Sequence, residues 1–132
     1  ALFHLLVEKS VERMTSNIDL SYVLSRIYSH TGMLRIAEGI FGKKGKFVEI
    51  TVRLLGWPTP NFPVELVNMT KSFIELQAAR HDADYDRSKS FSRAEAKGFV
   101  NQAEGAFNDW YQLESNPQHQ YLLEISTWPS IW

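Results

Sequence analysis

A guanidinium, two imidazoles and a phenol are the groups in this sequence best placed to do chemistry. Arg80 falls in a stripe, Leu66, Met69, Phe73, Leu76, Arg80 and Ala83, that steps by three and four. That spacing predicts a side chain turned toward the interior of a helical bundle. A buried guanidinium is costly unless paired, and Asp84, one turn on and on the same face, is the expected partner. Three arrangements are open: an ion pair that locks two helices, an arginine that holds an anion in a cleft, or an early helix end that leaves Arg80 exposed. His30 lies on the apolar face of an earlier stretch. It is either a core imidazole donating to a backbone carbonyl or a proton carrier near Arg80. Arg26, one turn before His30, would add a second positive charge. His81 comes directly after Arg80 and points about 100° away on a helix, so the two reach one bound group only if the backbone turns there.

Other chemistries leave no pattern. No two histidines stand four apart with a carboxylate, so no metal site is expected. There is no glycine-rich phosphate loop and no serine nucleophile elbow, and no cofactor is expected. Cysteine is absent, which excludes disulfides and thiolate ligands and fits a reducing, cytoplasmic setting. The net charge of −1 argues against a generally basic nucleic-acid binder, so any such contact must come from a local patch. Lys43, Lys44 and Lys46 form one small basic cluster, either a solvated loop or a phosphate contact. No apolar run approaches the roughly 20 residues that span a bilayer.

The elements that would position these groups are helical. The 132 residues suit one domain. A first helix carries Leu2, Phe3, Leu6, Val7 and Met14. A second, over about 19–41, carries Val23, Ile27, His30, Leu34, Ala37 and Phe41, is capped by Gly42, and is expected to break near Gly32. Residues 43–62 form a long connection. Val48, Ile50 and Val52 alternate there with polar residues, which suggests a short strand, a helical turn or an ordered excursion. A third helix begins near Pro63. A fourth starts at Ser92-Arg93-Ala94-Glu95, a capping box, and carries Ala96, Val100, Ala103, Phe107 and Trp110. An aromatic tail, 118–132, is expected to pack on the bundle. The fold class is all-α, an antiparallel bundle of four to five helices. The chain opens inside an apolar run with no cap, which suggests a missing natural beginning or a processed start.

The opening Ala1-Leu2-Phe3-His4-Leu5-Leu6 resembles the second half of a helix in HEPN-domain proteins, a family named for nucleotide binding in higher eukaryotes and prokaryotes. Leu76 to Asp86, with Arg80-His81-Asp82-Ala83-Asp84-Tyr85 at its centre, looks like the Arg-x-x-Ala-Asp-Tyr segment of a bacterial HEPN branch. The capped helix from Phe91-Ser92-Arg93-Ala94-Glu95-Ala96 is similar to the next helix of that branch. The resemblance implies a HEPN-like bundle, preceded in relatives by another helix, and a homodimer. It implies a binding or regulatory module linked to RNA or nucleotide in a toxin–antitoxin-like or stress system, with a nucleotidyltransferase-like partner protein. The alternatives are a metal-independent ribonuclease using Arg80 with a nearby histidine, and a purely structural or interaction bundle. In the family's ribonucleases a histidine stands four to six residues after the arginine. Tyr85 occupies that place here. A phenol, whose ordinary pKa is near 10, is a poor general base at neutral pH. Arg80 remains able to hold a phosphate, so binding is expected over catalysis. The phosphate-binding candidates are Arg80, Arg26 and Asp84, and the catalytic candidates are Arg80, His81, His30 and Tyr85.

Overall fold

The computed structural model of the chain describes residues 2–20 and 30–116. Five helices run through them: α1 (Leu2–Met14), α2 (His30–Gly42), α3 (Lys46–Leu55), α4 (Val64–Tyr85) and α5 (Arg93–Ser115). Among the described residues there is no strand. The chain is all-α, as expected. Residues 18–20 form a further helical turn, where Asn17 Oδ1 accepts the Leu20 N–H at 3.0 Å. The tail at 118–132 and Arg26 lie outside the described residues, as do Val23 and Ile27 of the expected second-helix face.

One apolar core joins all five helices. Leu6, Val7 and Val11 enter from α1, Met33, Ile36, Ala37 and Ile40 from α2, and Phe47 and Val48 from α3. Leu66, Met69 and Phe73 of α4 meet Ala106, Trp110 and Leu113 of α5. The α2 face differs from the expected one. Phe41 is half-exposed, while Met33, Ile36 and Ile40 are buried. The helix also runs unbroken through Gly32 and Gly39. At Gly39 a Cβ would come within 3.0 Å of the Lys44 carbonyl oxygen, so close approach of the next turn explains that glycine.

Residues 43–62 hold a ten-residue helix, not a strand. Phe47, Val48 and Thr51 are buried and Val52 and Leu55 partly so. Those positions have helical spacing, and the alternation at Val48, Ile50 and Val52 is incidental. Glycines bound the element on both sides. Gly56 sits in the left-handed region (φ 64), with Gly56 N–H on the Arg53 carbonyl at 3.3 Å and Trp57 N–H on that of Val52 at 3.0 Å. This is a Schellman end. The same pair of bonds ends α2, where Lys43 N–H reaches Ile40 and Lys44 N–H reaches Gly39. The left-handed residue there is Lys43 (φ 53), directly after Gly42 at the expected cap position. Phe62 then stacks on Phe47 (centroids 6.4 Å apart) and meets Trp57 edge-on (5.6 Å), fixing the return to α4.

The two longest helices, α4 (22 residues) and α5 (23 residues), are antiparallel and span about 33–35 Å at 1.5 Å per residue. Their connected ends form an arm beyond the buried core. Buried side chains stop at Phe73 on α4 and resume at Ala106 on α5. At that boundary the Gln102 amide donates to the Glu75 carboxylate across the pair. Beyond it, Ala96 and Val100, expected on the packed face of α5, are exposed. The capping box is present as expected: Glu95 N–H donates to Ser92 Oγ at 3.1 Å and Ser92 N–H to the Glu95 carboxylate at 2.7 Å.

At the other end of the pair, Asp109 of α5 is half-buried, and its carboxyl is raised above its ordinary value by burial first and by the nearby Glu65 charge second. The folded state therefore holds this proton more tightly than the unfolded chain does. Ionising Asp109 opposes folding: the penalty is absent below the ordinary carboxyl value and complete above the raised one. Asp109→Asn should raise the thermal midpoint at pH 7, and the gain should vanish in acid. Parallel melting curves at pH 7 and pH 3 check this, and an equal gain at both would refute it.

Candidate functional site

The arm carries the residues singled out by type and spacing. Arg80 Nε lies 3.6 Å from Asp84 Oδ2, the expected pair. Its placement differs from expectation. The Arg80 side chain is 61% exposed and that of Asp84 54%, so the guanidinium points to solvent, not into the bundle. The physical reason lies in the step after Leu76. A step of four leads to Arg80, but the helix seam takes the step of three, to the half-buried Ala79. A small alanine fits between close helices at no desolvation cost, whereas a guanidinium would lose its hydration.

His81 lies one residue on, and its ring meets that of Tyr85 at 4.9 Å between centroids, tilted by 44°. Two pairs at i, i+4, Arg80 with Asp84 and His81 with Tyr85, thus run side by side at the C-terminal end of α4. Tyr85 is 76% exposed. The helix stops at Asp86, whose N–H donates to the Asp82 carbonyl at 2.9 Å. Asp86 Oδ1 then accepts the Ser88 N–H at 3.0 Å and its hydroxyl at 2.5 Å. The Ser88 hydroxyl, then its backbone N–H, holds the Asp86 carboxyl below its ordinary value. Lys89 turns back to Asp82 Oδ2 at 2.7 Å, and that bond raises the lysine above its ordinary value. This pairing matters locally, because carboxylates at a helix C-terminus are otherwise disfavoured by the macrodipole. Phe91 and Phe99 meet edge-on at 5.5 Å and close the hairpin.

The remaining candidates do not join this group among the described residues. His30 is the first residue of α2, and its side chain lies outside the described residues, as does all of Arg26. His4 is exposed on α1, edge-on to Phe3. Among the described residues no group of three histidines or carboxylates could hold a metal ion, and no helix is long and apolar enough to cross a membrane.

Comparison with family models, with curated proteins and with solved structures found no match to this chain. The residues themselves must therefore define the chemistry. Among the described residues, the exposed arm end has a cation, an imidazole and a phenol, but no enclosure. Neither the apolar cavity between α1, α2 and α4 nor the cleft where α2 turns into α3 is lined by Arg80, His81 or Tyr85. An open surface of this kind can touch a long ligand along its length. It does not exclude water from a reacting bond, which is where fixed charges gain their catalytic strength.

Spacing did not reveal Arg35. It lies on α2 between Gly32 and Gly39, and all three line the cleft at the α2–α3 turn together with Lys44 and Lys46. The available signal was the pair of glycines seven residues apart, two turns of one helix side. Such a pair marks a trough as readily as a break.

Proposed function

We propose that this chain is a HEPN-like binding or regulatory module associated with nucleic acid, and that it contacts single-stranded RNA through the end of the α4–α5 arm. The observation that supports this is the exposed Arg80, beside the tilted ring pair of His81 and Tyr85. A guanidinium attracts backbone phosphate, and aromatic faces accept unstacked bases without strict sequence preference. Binding fits the site better than cleavage, because the imidazole described there, His81, is solvent-facing and leans on a phenol, not on a carboxylate that would orient it.

Arg80→Ala should weaken binding of a labelled single-stranded RNA by roughly tenfold and lower the salt slope by about one phosphate contact. Tyr85→Ala should weaken it comparably through lost stacking, worth about 1–3 kcal/mol per base. Asp84→Asn should tighten binding, since it removes a carboxylate that competes for the guanidinium. Fluorescence anisotropy at several salt concentrations reads all three. Equal affinity for wild type and Arg80→Ala would remove the arm from the site. RNA cleavage in chelator that is lost in His81→Ala would replace this reading with the ribonuclease one.

A further inference from the structure

We propose that the cleft where α2 turns into α3 binds a small phosphorylated molecule, held by Arg35, Lys44 and Lys46. The cleft encloses a cavity of about 160 Å³, roughly ten times the space one water needs. Arg35 comes from the side of α2, and Lys44 and Lys46 come from the turn, so cations border the space from two elements. None of the described lining residues is acidic. Glu38 and Glu49, the nearest carboxylates in sequence, are exposed and do not line the cavity. Among the described residues, Arg35, Lys44 and Lys46 make no ion pair.

Like charges gathered around one space repel one another, and an anion bound between them turns that repulsion into attraction. Three cations exceed what one carboxylate can neutralise. They match a phosphomonoester or a diphosphate, which carries about two or more negative charges at neutral pH. The shape agrees with the charge. Gly32 and Gly39 line the α2 side of the space, at Gly39 with the Lys44 carbonyl oxygen packed close, while Ile36 and Phe47 supply an apolar floor for an organic substituent. The first turn of α3 opens on the same space, and its N-cap, Gly45, supplies no side-chain oxygen to its backbone donors. The positive end of that helix adds to the field. The cleft with its three cationic lining residues defines the site, and the helix end reinforces it.

This site is separate from the arm, and the two are tested separately. The full chain is titrated with inorganic pyrophosphate at constant ionic strength while backbone amide NMR shifts are recorded. Saturable shifts should concentrate in residues 32–48. Lys44→Ala and Lys46→Ala should each weaken binding roughly tenfold, the expected loss for one charge-assisted contact. Lys97→Ala, far from the cleft on α5, should leave it unchanged. Both cleft lysines are exposed, so urea midpoints near wild type will show that lost binding is lost contact; if one variant folds poorly, the other carries the test. Three results would overturn the site: shifts that do not saturate, shifts spread evenly over the surface, or lysine variants that bind pyrophosphate like wild type. Binding of single-stranded RNA but not of pyrophosphate at these residues would also overturn it, because the cleft would then be a backbone contact and not a small-ligand site.

Discussion

Replacing Trp110 by alanine should remove about 3–5 kcal/mol of stability, the usual range for truncating a fully buried aromatic. Among the described residues Trp110 is the largest side chain with no exposed surface, and it stands where α5 meets the core built by α1, α2 and α4. Whole-domain stabilities of about 5–15 kcal/mol leave little margin for such a loss, so the variant should be partly unfolded at 37 °C. The indole allows a second, finer expectation. Its Nε1 is buried and finds no acceptor, and an unmet buried donor costs about 1–3 kcal/mol. Trp110→Phe removes that donor together with some volume, so its net loss should be well below that of the alanine variant. Urea unfolding monitored by far-UV circular dichroism separates the two. An alanine variant within about 1 kcal/mol of wild type would mean that the core is not organised around this residue.

The fold was legible where one local rule acted without a competitor. The capping box at Ser92 and Glu95 is such a case, because both hydrogen bonds are made between residues three apart and need no tertiary partner. The α3 helix was hidden for the opposite reason. In a ten-residue element, alternation at Val48, Ile50 and Val52 competes with the helical set Phe47, Val48, Thr51, Val52 and Leu55. The burial of Thr51, a polar residue, deprives the helical set of its clearest member. A strand would also have needed a partner, and the described residues hold no other strand.

The candidate site was legible in its pairing and not in its depth. Arg80 with Asp84 comes from spacing alone. Depth depends on which of two adjacent residues the seam selects, and Ala79 and Arg80 are both one turn after Leu76. The choice was decided by the cost of desolvating a guanidinium and by the end of the core at Phe73. Outside that core, α4 and α5 hold each other as a hairpin, and Val100 and Tyr85 remain exposed. The cleft at Arg35, Lys44 and Lys46 could not be read from spacing, since Lys44 and Lys46 reach it only because α2 ends in a left-handed Lys43.

Two glycines with equal room around them should respond to alanine with opposite signs. Gly45 and Gly98 each have nothing within 4 Å of the position a Cβ would take. Space therefore favours neither, and only the backbone decides. Gly98 lies inside α5 on an exposed face, where alanine is the better helix former by about 1 kcal/mol. Gly98→Ala should stabilise the chain by up to that amount. Gly45 has φ 98 and ψ 168, a region almost closed to residues with a Cβ. Gly45→Ala should cost about 1–3 kcal/mol. The strain would fall on the turn that sets α3 against α2, so the variant should also shift the amide signals of residues 44–48 while leaving those of the α4–α5 arm in place. Urea midpoints and two-dimensional NMR measure both effects. If Gly45→Ala were as stable as wild type with unmoved signals, the left-handed entry into α3 would not be the conformation of this turn, and the geometry of the cationic cleft beside it would fall with it.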